Sequence, residues 1–155
     1  MALEIERKFL VDKTQWEGLK KPAPARIAQA YLSKDITKTV RVRIKGDKAF
    51  LTIKGKTEGI SRQEFEYEVP VADARALIKL CDDSPLDKDR YVMKVGETSW
   101  EVDVFYGVNE GLILAEVELE SENAVFEIPD WVAKEVSDDP RFYNVNLMEN
   151  PYSTW

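Results

Sequence analysis

The feature that most constrains the fold is an alternation of apolar and charged residues with a period of two, repeated along most of the chain. Successive side chains of a β-strand point to opposite faces, so this period is typical of strands with two chemically different faces. The alternation predicts eight strands, at residues 2–11, 26–33, 37–45, 49–55, 60–69, 86–95, 99–106 and 112–120. Short connections such as Gly46-Asp47 and Gly96-Glu97 join consecutive strands, which predicts antiparallel pairing.

A few helices are expected beside the strands. An apolar stripe at helical spacing predicts an amphipathic helix over residues 71–82. Three shorter helices are predicted at residues 15–19, at 131–136 after a capping Asp130, and from about Arg141 after Asp139-Pro140. No stretch has the composition of a linker, so residues 1–155 are predicted to form a single domain.

Composition narrows the classes of function. The chain has 22 basic and 29 acidic residues, a net charge of −7, which disfavours nucleic acids and anionic membranes as partners. It contains no histidine, which excludes histidine-dependent triads and histidine-ligated zinc. The single cysteine, Cys81, allows no intrachain disulfide. An acidic start without a signal-peptide core and apolar runs too short for a bilayer predict a cytoplasmic protein.

The polar face of the predicted strands is ionised on nearly every strand, and its charges come in blocks of one sign. Examples are Glu4 with Glu6, Arg41 with Arg43, and Glu116 with Glu118. Like charges side by side on one sheet face repel each other, so a sheet that keeps them needs something to neutralise them. Carboxylate blocks favour a hard divalent cation, and arginine and lysine blocks favour an oxyanion.

Eight antiparallel strands can close into a barrel in two ways. With the apolar face inside, the charges form a solvated exterior, and the alternation taken alone favours this closure. With the charged face inside, the apolar exterior must be covered, and the helices predicted around residues 71–82 and 130–149 favour this second closure slightly. The pattern by itself leaves both closures open.

The order of charged motifs resembles that of a known family. The chain begins with a Glu-x-Glu-x-Lys strand, Glu4-Ile5-Glu6-Arg7-Lys8. Further motifs follow in sequence: Tyr31 in QAYLS, Arg41-Val42-Arg43, Lys54 in LTIKG, SRQEFE at 61–66, DKDRY at 87–91, Asp103 in EVDVF, Glu116-Val117-Glu118, and RFYN at 141–144. Together they resemble the CYTH superfamily, the triphosphate tunnel metalloenzymes. The resemblance implies a mainly β (α+β) fold: a closed eight-stranded antiparallel barrel with a charged tunnel and a few flanking helices.

The resemblance also implies roles for individual residues. The family's metal-binding carboxylates match Glu4, Glu6, Asp103, Glu116 and Glu118, and oxygen-only donors suit Mg²⁺ or Mn²⁺. The expected catalytic phosphate ligands are Lys8, Arg41, Arg43, Lys54 and Arg90, with Lys88 and Tyr31 as further substrate-binding residues. The roles of Arg62, Glu64, Glu66 and Arg141 are left open between the site and structural ion pairs.

The function implied is metal-dependent hydrolysis of a triphosphate, with inorganic tripolyphosphate favoured because the short hairpins leave little material for a base pocket. The alternatives are a nucleoside or thiamine triphosphatase, a class IV adenylate cyclase, and a noncatalytic triphosphate- or polyphosphate-binding module. An unrelated β-barrel interaction domain is a third class. A small-molecule substrate is expected, with no nucleic acid or membrane partner, and a homodimer is left open.

Overall fold

The computed structural model describes residues 3–155, so Ala2 of the first predicted strand lies outside the described residues. The fold is mainly β. Its strands are β1 (Leu3–Val11), β2 (Ala25–Ser33), β3 (Lys38–Lys45), β4 (Lys48–Gly55), β5 (Ser61–Val69), β6 (Leu86–Val95), β7 (Thr98–Phe105), β8 (Ile113–Glu118) and β9 (Val132–Glu135). The helices are α1 (Lys13–Glu17), α2 (Val71–Leu80) and α3 (Asn144–Glu149), with short 3₁₀ turns at Gly107–Asn109, Pro140–Phe142 and Tyr152–Thr154.

Eight of the strands form a closed antiparallel barrel. Its strand order is β5-β4-β3-β2-β6-β7-β8-β1, and pairing of β1 with β5, Leu3 opposite Gln63, closes the circle. Two-residue turns at Gly46-Asp47 and Gly96-Glu97 connect β3 to β4 and β6 to β7, as predicted. Both glycines have positive φ, which the first position of this turn type requires. The predicted closed antiparallel barrel is confirmed.

The barrel closes with its charged face inside. Glu4 and Lys8 on β1, Arg41 and Arg43 on β3, and Glu116 on β8 all face an internal cavity, and all five are buried. The apolar-inside closure that the alternation alone favours is therefore wrong. The apolar outer face of the barrel is covered by other segments of the chain. Burial of apolar side chains between those segments and the barrel stabilises this closure.

Three apolar clusters cover much of the exterior. Trp131 packs edge to face against both Trp16 of α1 and Trp100 of β7, and Phe126 packs against Trp100. Helix α2 buries Ala74 against Val42 and Ala49 of β3 and β4. The C-terminal segment buries Phe142 and Leu147 against Leu86, Phe105 and Leu114. These contacts hold the C-terminal segment against the barrel. They also bring residues 143–145 to the cavity inside it.

The predicted helix over Trp131 to Val136 is wrong, because Val132–Glu135 forms strand β9. Strand β1 pairs with β5 only at residues 3–5 of β1. Beyond these residues, the backbone groups on that edge of β1 have no partner in β5. Strand β9 pairs there, with Phe9 opposite Glu135 and Val11 opposite Val132. The need to satisfy buried backbone hydrogen bonds thus overrides local sequence preference.

The other helix predictions are borne out with shifted ends. Asp12 caps α1 by accepting from the backbone N–H of Gln15, which moves this helix two residues earlier than predicted. Asp139 caps a 3₁₀ turn over Pro140–Phe142, and the α-helix expected near Arg141 begins at Asn144. No helix within residues 3–155 combines the length and apolar character that a membrane span needs.

Candidate active site

The barrel encloses a cavity of about 270 Å³ that is lined mostly by acidic and basic side chains. At one end, Glu118 is exposed and marks a mouth; at the other, Tyr143, Asn144 and Val145 of the C-terminal segment contribute to the lining. Carboxylates and cationic groups line it in equal number: Glu4, Glu6, Glu64, Glu66, Glu101, Glu116 and Glu118, with Lys8, Arg41, Arg43, Lys54, Arg62, Lys88 and Arg90. The cavity lining therefore contains both acidic and basic groups, and neither sign of charge is in excess.

Carboxylates gather near the mouth. Glu4 is buried, and its Oε2 lies 2.9 Å from Lys54 Nζ and 3.4 Å from Arg62 Nε. Burial alone would raise the pKa of Glu4, but Lys54 and Arg62 hold it well below its ordinary value. Glu64 pairs with the same lysine at 3.3 Å, yet burial and the charge on Glu4 raise its pKa.

Glu6 lies between two other carboxylates. Burial, Glu116 and Glu4 raise its pKa well above the ordinary value, although Lys54 opposes them. Directly across the β1–β8 ladder, Glu6 faces Glu118, and Lys8 faces Glu116. Lys8 Nζ is 3.5 Å from Glu116 Oε1, and this lysine together with Arg90 lowers the pKa of Glu116 despite its burial.

The chemistry of these donors fits a hard divalent cation. All are carboxylate oxygens, and burial together with the charges of Glu116 and Glu4 raises the pKa of Glu6, a cost to its charged form that a cation between the glutamates would relieve. Within residues 3–155, however, no three acidic side chains already surround one point in the manner of a finished metal site. Glu4 and Glu116 are instead engaged by Lys54 and Lys8, so a cation would have to displace those ion pairs.

Two arginines of β3 lie side by side facing one carboxylate. The Nη2 atoms of Arg41 and Arg43 are 3.7 Å and 3.5 Å from Glu66 Oε2. Burial, Arg41 and Arg90 lower the pKa of Arg43 to about 10. The Nε atoms of both arginines are buried without a hydrogen-bond partner among the described residues. Buried donors without a partner are rare, and these two suit the oxygens of a bound anion.

A second basic pair is clamped to Asp103. Arg90 donates two hydrogen bonds to this carboxylate, Nε to Oδ1 at 2.8 Å and Nη2 to Oδ2 at 2.9 Å. Lys88 Nζ lies 2.8 Å from Asp103 Oδ2 and donates to Asn144 Oδ1 at 3.0 Å. Burial lowers the pKa of Lys88 to about 8 although Asp103 opposes that change, and Arg90 and Lys88 hold the pKa of Asp103 well below its ordinary value.

The C-terminal segment completes the end of the cavity away from the mouth. Lys8 Nζ donates to the backbone oxygen of Phe142 at 3.2 Å and lies over the ring of Tyr143. Ser137 accepts from the backbone N–H of Lys8 at 2.9 Å. Asn144 contacts Lys88 as described, and Gln29 Nε2 donates to the same amide oxygen at 3.4 Å. Residues distant in sequence thus fix two lysines of the cavity.

Most of the residues expected from the sequence meet in this cavity. They are Glu4, Glu6, Lys8, Tyr31, Arg41, Arg43, Lys54, Lys88, Arg90, Glu116 and Glu118. Asp103 does not line the cavity: it is buried behind the wall, with both oxygens used by Arg90 and Lys88. Arg141 pairs with Asp139 on the surface, the structural alternative that had been left open for it. Arg62, Glu64 and Glu66 lie in the cavity wall.

Sequence reasoning missed several residues of the cavity wall. Glu101 lines the cavity and accepts from Arg90 Nη1 at 3.1 Å. Period-two alternation puts it on the same strand face as Asp103, but it is not among the ligands expected from the sequence. Ser137, Tyr143 and Asn144 follow no such period, so their part in the site depends on where the C-terminal segment packs.

The fold and the cavity define a class of protein: a closed antiparallel β-barrel whose buried interior is lined by seven carboxylates and seven cationic groups. The sequence model of the CYTH domain matches residues 2–143, and the chain belongs to the CYTH domain family.

Two relatives cover nearly the whole chain. One is an inorganic triphosphatase of Acetivibrio thermocellus, 47% identical over 156 residues, which cover 100% of this chain and 99% of that protein. The other is an inorganic triphosphatase of Nitrosomonas europaea, 37% identical over 148 residues, 93% of this chain and 95% of the relative.

Solved structures agree with these relatives. The crystal structure of an inorganic triphosphatase superposes with a TM-score of 0.65 at 33% identity and covers 94% of this chain and 97% of its own. A protein from Pyrococcus horikoshii superposes with a TM-score of 0.58 at 22% identity, over 77% of this chain and 80% of its own, which shows the same fold.

Proposed function

We propose that this protein hydrolyses inorganic tripolyphosphate to pyrophosphate and phosphate within the barrel. The single observation that carries the proposal is the buried arginine pair, Arg41 and Arg43, whose Nε donors lack partners within the described chain and face a cavity lined by ionised groups. Two inorganic triphosphatases that match nearly the full chain support the same activity.

Different residues of the cavity have different roles in the proposed reaction. Arg41, Arg43 and Arg90 bind phosphate oxygens and stabilise the charge that develops on them as the terminal phosphoryl group transfers. Lys8 and Lys54 neutralise further charge as compact ammonium groups. Water attacks the terminal phosphorus, the bond from that phosphorus to its bridging oxygen breaks, and pyrophosphate leaves. With no histidine in the chain, a carboxylate of the cavity wall that does not hold the cation is the proposed proton acceptor.

The proposed metal is Mg²⁺ or Mn²⁺, held by Glu4, Glu6, Glu116 and Glu118. When bound, the cation supplies charge neutralisation and Lewis-acid chemistry to the reaction. Asp103, predicted to be a metal ligand, is instead proposed to position Arg90 and Lys88, because its oxygens are used by these two residues behind the cavity wall. The predicted single domain over residues 1–155, the cytoplasmic location and the homodimer stay predictions.

Substrate choice provides the test of this proposal. The cationic groups of the cavity recognise three phosphates in a row, and pyrophosphate would leave some of them buried and unpaired. We expect catalytic efficiency to fall in the order tripolyphosphate, ATP, pyrophosphate. Phosphate release is measured for each at equal concentration well below saturation, with Mg²⁺, with Mn²⁺ and with EDTA.

Each alternative has its own outcome in that assay. Preference for pyrophosphate would refute the proposed function. Preference for ATP with cyclic AMP as product would place the protein with the adenylate cyclases, and preference for another triphosphate would identify a nucleoside or thiamine triphosphatase. Binding of tripolyphosphate without turnover under any metal condition would indicate a binding module.

A further inference from the structure

A fully buried threonine stands between the arginine pair and its carboxylate. Arg41, Thr52 and Glu66 are direct cross-strand neighbours on β3, β4 and β5, in one row on the inner face. The Thr52 side chain has no solvent exposure and lies behind the cavity lining rather than in it. It is the middle member of this row, so its hydroxyl can reach the residues on both sides.

The direction of the hydrogen bonds in this row is fixed by chemistry. Arg41 Nη2 is 3.2 Å from Thr52 Oγ1, and Thr52 Oγ1 is 2.8 Å from Glu66 Oε2. A guanidinium only donates and an ionised carboxylate only accepts. The threonine hydroxyl must therefore accept from Arg41 and donate its single proton to Glu66.

This bond holds Glu66 at a distance from the arginines that it neutralises. Glu66 Oε2 is 2.8 Å from the hydroxyl but 3.7 Å and 3.5 Å from the Nη2 atoms of Arg41 and Arg43. A carboxylate free to move would pair with one guanidinium in a two-bond arrangement, since that geometry is the stronger one. Such a pair would occupy donors that an anion in the cavity needs.

We propose that Thr52 is a positioning residue of the triphosphate site: its hydroxyl orients Arg41 and restrains Glu66, which keeps both arginines available to phosphate oxygens. The inference rests on the proposed function for its catalytic readout, but its binding readout is independent of turnover. Thr52 itself does not touch the substrate.

The test compares Thr52→Val, which keeps the shape and removes the hydroxyl, with Thr52→Ser, which keeps the hydroxyl and removes a methyl group. We expect Thr52→Val to raise the KM for tripolyphosphate about tenfold and to change kcat by less than about threefold, because ground-state phosphate contacts are weakened. Thr52→Ser should stay within about twofold of wild type in KM. Calorimetric titration with tripolyphosphate should show the same roughly tenfold loss in Kd for Thr52→Val alone.

A double-mutant cycle separates positioning from a general packing effect. In a Glu66→Met background, Thr52→Val should raise KM by clearly less than about tenfold, since the carboxylate it restrains is gone and only its bond from Arg41 is lost. Melting temperatures of all variants without ligand control for folding, and valine is a good strand former. Thr52→Ala serves as a second variant without the hydroxyl if Thr52→Val does not fold.

Three results would overturn the inference: a KM and Kd like wild type in a folded Thr52→Val, an equal loss in Thr52→Ser, or full additivity with Glu66→Met. If the proposed function itself is wrong, the experiment gives a different result. In that case the wild-type protein does not turn over tripolyphosphate with either metal, while titration still reports whether Thr52 controls anion binding.

Discussion

Replacing Arg43 by methionine should stabilise the ligand-free protein. The side chain is only 10% exposed, and burial, Arg41 and Arg90 lower its pKa to about 10 from the ordinary 12.5. That difference corresponds to roughly 3 kcal/mol against the charged form in the folded state. The arginine is charged at pH 7 in both folded and unfolded chains, so the folded protein bears this cost at neutral pH.

The net gain is smaller than that upper figure. Arg43→Met loses the 3.5 Å interaction with Glu66, although Glu66 keeps its hydrogen bond from Thr52 and its contact with Arg41. We expect a net stabilisation of about 1–2 kcal/mol, which for a chain of this size corresponds to a rise in melting temperature of about 2–8 °C. The measurement is thermal unfolding in phosphate-free buffer at pH 7.

A matched control is Arg26→Met, the same change at an arginine that is 56% exposed on the outer surface. Its melting temperature should stay within about 2 °C of wild type. Adding tripolyphosphate should raise the melting temperature of wild type and of Arg26→Met, but much less that of Arg43→Met, because the ligand stabilises only a chain that binds it. The reasoning is refuted if Arg43→Met alone melts several degrees lower without ligand, since the arginine would then belong to a stabilising ion-pair network.

Three further changes probe other parts of the molecule. Glu4→Gln should lower tripolyphosphate turnover by roughly a hundredfold or more in a chain that still folds, because an uncharged amide is a poor ligand for a hard cation; normal turnover would rule out a metal-binding Glu4. Its melting temperature should fall, since the ion pairs with Lys54 and Arg62 that hold the pKa of Glu4 low are lost. The pKa of Glu135 is lowered by a hydrogen bond from Arg7, so the stability that this pair contributes is present at neutral pH and is lost as the pH falls through the folded-state pKa. Urea unfolding of Arg7→Leu against wild type should therefore show a difference at pH 7 that shrinks on acidification, and a difference independent of pH would contradict this sign. Trp100→Ala should cost about 3–5 kcal/mol in the free energy of unfolding, because Trp100 is fully buried among aromatic rings outside the barrel; a loss below about 1 kcal/mol would show that this cluster is not a core.

The charged interior of the barrel shows what the period-two alternation can predict and what it cannot. The parity of Glu4, Arg41 and Lys54 placed them on one face of their strands, and the resemblance to a family then indicated that this face is the inner one. Period two says which residues share a face but not which face is enclosed, since both closures satisfy the same backbone hydrogen bonds. The burial of the charged residues, with apolar clusters outside, is what decides between the two closures.

The hairpin pairings of consecutive strands and the composition of each strand face were determined by the sequence itself, because side-chain direction and short turns are local properties of the chain. The pairings that complete the barrel, β2 with β6 and β1 with β8 and β5, join strands distant in sequence. Only the tertiary structure decided the rest. Val132–Glu135 is a strand because the edge of β1 offers unpaired backbone groups, and Asn144 reaches Lys88 because Phe142 and Leu147 bury the C-terminal segment against the barrel. Asp103 shares a face with Glu101, yet Arg90 and Lys88 hold it behind the wall of the cavity. These placements depend on contacts between residues far apart in sequence, and no local pattern encodes such contacts.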